Sequence, residues 1–205
     1  MATRSATSAR PLAVFDFDGT LTVRDSLLPF LFGAQSRVRL GRAALLSAPD
    51  LLALAVRLRR REDVKERIFV HLFEGMPVDE FERRAVSFAL GQVPALLRPR
   101  AVERLRWHQR HGHQTVIASA SLEAYLRPWA RLERVDAVVG TRLEVRGGRV
   151  TGRLDGPNCS GVEKVRRITE RLGPLEGREL YVYGDSEGDR ALLAVATHAA
   201  YRPFR

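Results

Sequence analysis

The pentapeptide Asp16-Phe17-Asp18-Gly19-Thr20 directly follows the apolar run Leu12-Ala13-Val14-Phe15, placing two carboxylates one residue apart where a β-strand is predicted to end. Side chains alternate between faces along a strand. The chain turns at Gly19, however, so Asp16 and Asp18 can converge on one substrate beyond the strand end. A carboxylate can attack phosphorus and form an acyl phosphate, while a second carboxyl group protonates the leaving alcohol and then activates water. On this reading Asp16 is the nucleophile and Asp18 the acid/base. The same string also describes a strand leaving a sheet through an Asp/Gly turn.

Three later segments supply what such chemistry needs. Gln114-Thr115-Val116-Ile117-Ala118-Ser119 is a second apolar strand that delivers a hydroxyl at its end, before Ala120, Ser121 and a helical stretch from Leu122 to Leu132. A hydroxyl and free amides at a helix start suit phosphate oxygens, although a serine there also serves as a cap. Capping is the reading adopted for Ser121. Val162, Val165, Ile168 and Leu172 mark an amphipathic helix with Lys164 in its first turn. Lys164 is one of only two lysines, with Lys65, in a chain whose Lys+Arg total is 34. An ammonium at a helix N-terminus opposes the macrodipole, so a nearby anion is required. Finally, the strand Glu179-Leu180-Tyr181-Val182-Tyr183 runs into Gly184-Asp185-Ser186-Glu187-Gly188-Asp189. Three acids within five residues repel one another, and a hard divalent cation relieves that repulsion; a solvated turn into a helix through Leu192, Leu193 and Val195 is the alternative.

The four stretches, in this order, resemble the haloacid dehalogenase superfamily, and within it class IB, the phosphoserine-phosphatase-like branch. The resemblance implies that Asp16 is the phosphorylated nucleophile and Asp18 the general acid/base. It also implies that Ser119 and Lys164, with Gly19, hold phosphate oxygens. Asp185 would bind Mg²⁺ together with Asp16 and the Asp18 backbone carbonyl, supported by Asp189 through its waters. An aspartate at position 18 favours a phosphatase, because the dehalogenases and ion pumps of the superfamily lack this acid. Three positions depart from the phosphoserine phosphatases: Asp25 stands where they carry a glutamate, Ser119-Ala120-Ser121 replaces Ser-Gly-Gly, and Gly188 precedes the final aspartate. Free phosphoserine is therefore disfavoured as substrate.

The elements that must position these residues alternate between strand and helix, which predicts an α/β fold with a doubly wound parallel sheet and active-site groups at the carboxyl ends of its strands. Sequences either side of Gly147-Gly148 predict a β-hairpin. With 205 residues, 45% of them hydrophobic, the chain can bury one good core and a small subdomain. Cys159 is the only cysteine, which excludes an intrachain disulfide and fits a reducing compartment. Residues 1–10 are polar and basic and show no secretory signal, so a cytoplasmic location is expected. His108, His111 and His113 read as the end of a helix broken by Gly112, in preference to a zinc site.

Residues 26–94 are too many for a connecting loop and are expected to form an inserted helical cap on a catalytic core of residues 1–25 and 95–205. Helices are predicted around Leu27 to Phe32, Ala43 to Leu46, Leu51 to Leu58 and Val64 to Phe73, with Pro49 and Asp50 breaking the middle pair. Apolar clusters here alternate with arginines, and no apolar run approaches the ~20 residues that span a bilayer. Such a cap suits peripheral contact with an anionic membrane at its inner surface; a solvated basic lid is the alternative. Arg57, Arg59, Arg60 and Arg61 are expected to stand apart from the catalytic groups. In texture the cap looks like the class IB branch that hydrolyses phosphatidylglycerophosphate, which makes a lipid phosphate monoester the expected substrate and a small soluble one the alternative. A non-catalytic phosphate- or membrane-binding relic of the fold is the other alternative, and the presence of all the acid, hydroxyl and lysine positions argues against it. Net charge +10 and pI ≈ 10.9 suit any anionic partner. Nucleic acid is disfavoured, since the arginines are spread along the chain and no nucleic-acid-binding motif is present; no protein partner is evident.

Overall fold

The structure, a computed structural model, describes residues 10–58 and 60–205. The remaining N-terminal residues, read above as lacking a secretory signal, and Arg59 of the basic run lie outside the described residues. The first described element is β1 (Leu12–Phe15), followed by four helices, α1 (Leu27–Ala34), α2 (Arg37–Ala55), α3 (Arg61–Phe73) and α4 (Val78–Gly91). It then alternates through α5 (Pro99–Arg110), β2 (Gln114–Leu122), α6 (Glu123–Leu132) and β3 (Ala137–Thr141). A hairpin of β4 (Leu143–Arg146) and β5 (Arg149–Leu154) follows, then α7 (Val162–Leu172), β6 (Leu180–Gly184), the short α8 (Arg190–Ala194) and β7 (His198–Tyr201).

The five-stranded sheet has the order β3-β2-β1-β6-β7 and every pairing in it is parallel. Alternation along β1 builds both cores. Ala13 and Phe15 face one apolar cluster, with Ile117, Leu105, Tyr125 and Trp129, whereas Leu12 and Val14 face the other, with Val116, Ile168 and Val182. Helices α5 and α6 cover the first face and α7 and α8 the second, the doubly wound arrangement expected from sequence. Strand order reverses at β1, and ligands of open α/β sheets bind at such a switch point.

The four-helix segment shares the first core. Phe30 of α1 and Phe88 of α4 meet Tyr125 of α6 with ring centroids 5.0 and 5.2 Å apart. The hairpin supports α3 from the other side. At Gly152 (φ 78°) a Cβ would lie 2.4 Å from the Val70 Cα, so only glycine allows this approach.

One sequence expectation about the helices changes. Pro49 does not break a helix pair: α2 runs unbroken from Arg37 to Ala55. Proline removes one main-chain bond, but Ala43, Ser47 and Asp50 are buried on one stripe of the helix, and Asp50 is paired with Arg67 of α3 at 3.1 Å, fixing the turn beyond it. The histidines lie at the end of α5, as expected, and His108 is fully buried against the first core. Its Nδ1 meets His113 Nδ1 at 2.8 Å and its Nε2 meets the Tyr183 hydroxyl at 2.9 Å. Burial pushes His108 down to about 3, with Arg104 and the neighbouring histidines adding to the effect.

Candidate active site

Asp16 is the first residue beyond β1, and its N–H donates to the Tyr183 carbonyl at 2.9 Å, so β6 helps fix its position. Phe17 and Leu21 are fully buried and anchor the following turn in the first core. Between them Gly19 takes φ 77°. The Thr22 hydroxyl accepts from the Gly19 N–H at 3.2 Å and donates to the Arg24 carbonyl at 2.7 Å, which closes the turn.

The turn brings Asp16 and Asp18 to one cavity of about 560 Å³, lined also by Gly19, Ser119, Lys164 and Asp185. The two aspartates sit in different surroundings. Asp16 Oδ1 accepts from Lys164 Nζ at 2.7 Å. Asp18 Oδ1 accepts from the Ser26 N–H at 2.7 Å, and its other oxygen accepts from the Ser121 hydroxyl. Burial raises the Asp16 carboxyl to about 7, against the pull of Lys164. Burial also raises Asp18, reinforced by the charge of Asp25 and opposed by its hydrogen bonds from Ser121 and Ser26.

Ser121 is therefore not a helix cap. Strand β2 continues to Leu122, with an irregularity in its pairing to β3 between Ala118 and Leu122, and α6 starts at Glu123 with no side-chain cap. The serine hydroxyl is thereby free to hold Asp18. Ser119 Oγ accepts from the Ser121 N–H at 3.1 Å, and its own hydrogen has no protein acceptor among the described residues, so it can donate into the cavity.

Lys164 meets the anions that its place on α7 requires. Its ammonium donates to Asp16 at 2.7 Å and to Asp189 at 2.6 Å. Burial works against the charged form, yet the two carboxylates hold the Lys164 pKa above that of an ordinary lysine. Asp189 Oδ2 accepts from the Asp185 N–H, the Ser186 N–H and the Ser186 hydroxyl at 3.1, 3.0 and 2.7 Å. Burial raises the pKa of Asp189, but Lys164 and Ser186 hold it below the ordinary value. With both oxygens engaged, Asp189 braces the lysine and the loop that carries Asp185.

Oxygen donors of Asp16, Asp185 and Asp189 lie within 4.8 Å of one another, a hard donor set compatible with Mg²⁺. Among the described residues no other His, Cys, Asp or Glu group meets this spacing. The Asp185 carboxylate also lies against Gly19, where a Cβ would approach its Oδ2 to 2.4 Å. Glycine at 19 thus makes room for the acid beside the turn.

Several cavity residues were not singled out as site residues from sequence. Lys65, on α3, donates to the Ala120 carbonyl at 2.6 Å and to Asn158 Oδ1 at 2.8 Å, spanning from the helical segment to the sheet. Burial lowers it to about 8, while Asp18 and Asp25 pull the other way. Its rarity was the available signal: both lysines of this arginine-rich chain line the same cavity. Arg61 lines it too, which corrects the expectation that the whole basic run stands apart from the catalytic groups. Arg61 is the first residue of α3, the helix that also carries Lys65 to this cavity. Arg205 reaches the Asp185 carboxylate from the last residue, a contact with no local sequence signal.

A parallel sheet whose switch point carries paired carboxylates, a buried lysine and an acidic loop presents the groups that a hydrolase needs in one cavity. A family model of haloacid dehalogenase-like hydrolases matches residues 13–194, and the chain belongs to that family. It is 40% identical to the protein CicA of Caulobacter vibrioides over 196 residues, 95% of this chain and 86% of the relative. It is 30% identical over 203 residues to the probable phosphatase Rv3661 of Mycobacterium tuberculosis, 96% of this chain and 70% of the relative. Among solved structures, a Bordetella pertussis protein of unknown function superposes with a TM-score of 0.73 at 28% identity, covering 93% of this chain and 88% of the other. A substrate-bound phosphoserine phosphatase superposes with a TM-score of 0.60 at 16% identity over 92% of this chain and 84% of the other, which shows a shared fold.

Proposed function

We propose that the protein is a Mg²⁺-dependent phosphomonoester hydrolase acting through an aspartyl-phosphate intermediate. One observation carries this reading: Asp16 and Asp18 share a cavity but are held by different partners, Asp16 by an ammonium and Asp18 by a hydroxyl and an amide. In the proposed cycle Asp16 attacks the phosphorus, and Asp18 gives its proton to the leaving alkoxide. Asp18 then takes a proton from the water that cleaves the acyl phosphate. Its raised pKa suits the first of these roles. Lys164, Ser119 and the turn at Gly19 are assigned to the phosphoryl oxygens. Asp16, Asp185 and the Asp18 carbonyl would hold Mg²⁺, which neutralises charge on the phosphoryl group when bound, while Asp189 keeps Lys164 and the Asp185 loop in place.

The substrate is assigned as a lipid phosphate monoester of the phosphatidylglycerophosphate kind, met on the cytoplasmic side of an anionic membrane, with a small soluble monoester as the alternative. What supports the lipid is the cavity lining, in which Arg24, Arg61 and Lys65 occur together with Val23 and Leu27. Helices from residues 26–94 would then serve as a cap over the core of residues 1–25 and 95–205. The test is hydrolysis of p-nitrophenyl phosphate by protein stripped with chelator and then resupplied with Mg²⁺, followed by acid quench and mass mapping. Turnover restored by Mg²⁺ with phosphate on Asp16 is expected. Full activity of metal-free protein, or a phosphoryl group on another residue, overturns the mechanism. A panel of lipid and soluble monoesters then decides the substrate.

A further inference from the structure

Helix α2 carries its buried side chains on one face and an apolar stripe on the opposite one. Ala43, Ser47 and Asp50 form the stripe buried toward α3. Diametrically across the helix, Val38, Leu45 and Leu52 recur every seven residues and are 83%, 76% and 68% exposed; Leu58, in the turn that follows, is 80% exposed. A helix with an apolar stripe in water has an unmet partner, since solvated helices carry polar residues there. Between residues 37 and 58 the only acid is Asp50, and it is buried and paired with Arg67. Arg37, Arg42 and Arg57 are exposed around the stripe and make no ion pair among the described residues. No described helix is long and apolar enough to cross a membrane.

We propose that this outward face of α2, with the turn after it, docks on the surface of an anionic lipid bilayer. Leucine and valine side chains at this spacing enter the headgroup–acyl boundary while the flanking guanidiniums meet lipid phosphates. Charge selects this occupant over a second copy of the chain. Two such faces would bring six arginines together with no exposed acid on either to receive them. The face also adjoins the cavity, because α3 begins shortly after the turn and its Arg61, Glu62 and Lys65 line that cavity. Docking therefore sets the mouth at the bilayer surface, and only this orientation rests on the function proposed above.

The experiment is flotation of the full chain with phosphatidylcholine vesicles, with and without phosphatidylglycerol. Two variants are compared with the parent, Leu45→Ser/Leu52→Ser/Leu58→Ser and Arg37→Glu/Arg42→Glu/Arg57→Glu, and each is also assayed on p-nitrophenyl phosphate. The parent should float with phosphatidylglycerol vesicles and lose most of that binding in high salt. Each variant should bind about tenfold or more weakly while hydrolysing the soluble ester as the parent does. Binding indifferent to phosphatidylglycerol, no binding, or a dimer in sedimentation that the leucine substitutions dissociate would each overturn the proposal. Hydrolysis without vesicle binding leaves the phosphatase reading intact, and vesicle binding without hydrolysis does the reverse.

Discussion

The turn after β1 and the outer face of α2 dispose of charge and apolar surface in opposite ways. At the turn, Asp16, Lys164 and Asp189 are all buried, and each meets an opposite charge within 2.7 Å. On α2, leucines stand in water and arginines go without ion partners among the described residues. Burying three charges costs folding free energy unless each is matched, so the first region is retained at a cost that chemistry explains. Exposing leucines forgoes burial that would have stabilised the fold. Both regions depart from what stability alone favours, and a departure of that kind marks a place where the chain does something other than fold.

The largest effect expected from breaking this contrast is at the nucleophile. Asp16→Asn should lower kcat on p-nitrophenyl phosphate by roughly a thousandfold or more with an unchanged circular dichroism spectrum. Parent-like turnover would remove Asp16 from the chemistry. Next is Asp18→Asn, expected to cost about a hundredfold or more yet still to bind substrate and accumulate phosphoenzyme from an ester with a good leaving group, seen by rapid quench. Lys164→Met removes the one cation between two buried carboxylates. Breaking a buried ion pair from one side costs about 3–5 kcal/mol, and chemical denaturation of the metal-free protein should show a loss of that order along with loss of activity.

Smaller effects sharpen the comparison. Ser121→Ala leaves one oxygen of Asp18 without its donor, and the Asp18 pKa should rise, because a hydrogen bond that holds it down is gone. A several-fold fall in kcat with little change in KM is the expected reading, and an unchanged rate would reduce Ser121 to a packing residue. At the other extreme, Leu52→Ser on α2 should alter stability by no more than about 0.5 kcal/mol, since the side chain is already in water. A substantial loss in urea denaturation would mean that this leucine is part of the core after all.

Much of the site was readable before the fold because its residues sit at strand ends, and strand ends are marked by short-range signals. Asp16 and Asp18 follow four apolar residues, Ser119 ends another such run, and Asp185 follows Tyr183 and Gly184. Lys164 was readable through its rarity. Hydrophobic alternation and turn residues act over a few positions, so the parallel sheet, the hairpin at Gly147-Gly148 and helices α6 and α7 could all be anticipated. Where local signals were weak or opposed by packing, they misled. Pro49 marked a helix break that the buried contact of α2 with α3 overrides, and Ser121 resembled a cap because nothing nearby indicates that β2 runs on to Leu122.

By itself, then, the sequence determined which groups are chemically capable, their spacing on single elements and the class of fold that carries them. Tertiary structure alone decided which distant groups meet. The hold of Ser121 on Asp18 spans 103 residues and that of Lys164 on Asp16 spans 148. Lys65 enters the cavity only because α3 packs against the hairpin through Gly152, and the leucines of α2 are exposed only because no other described element covers that face. The physical reason is range: dihedral preference and side-chain periodicity act between neighbours, whereas burial, ion pairing and the shift of an acid's pKa depend on atoms that only the folded chain brings together.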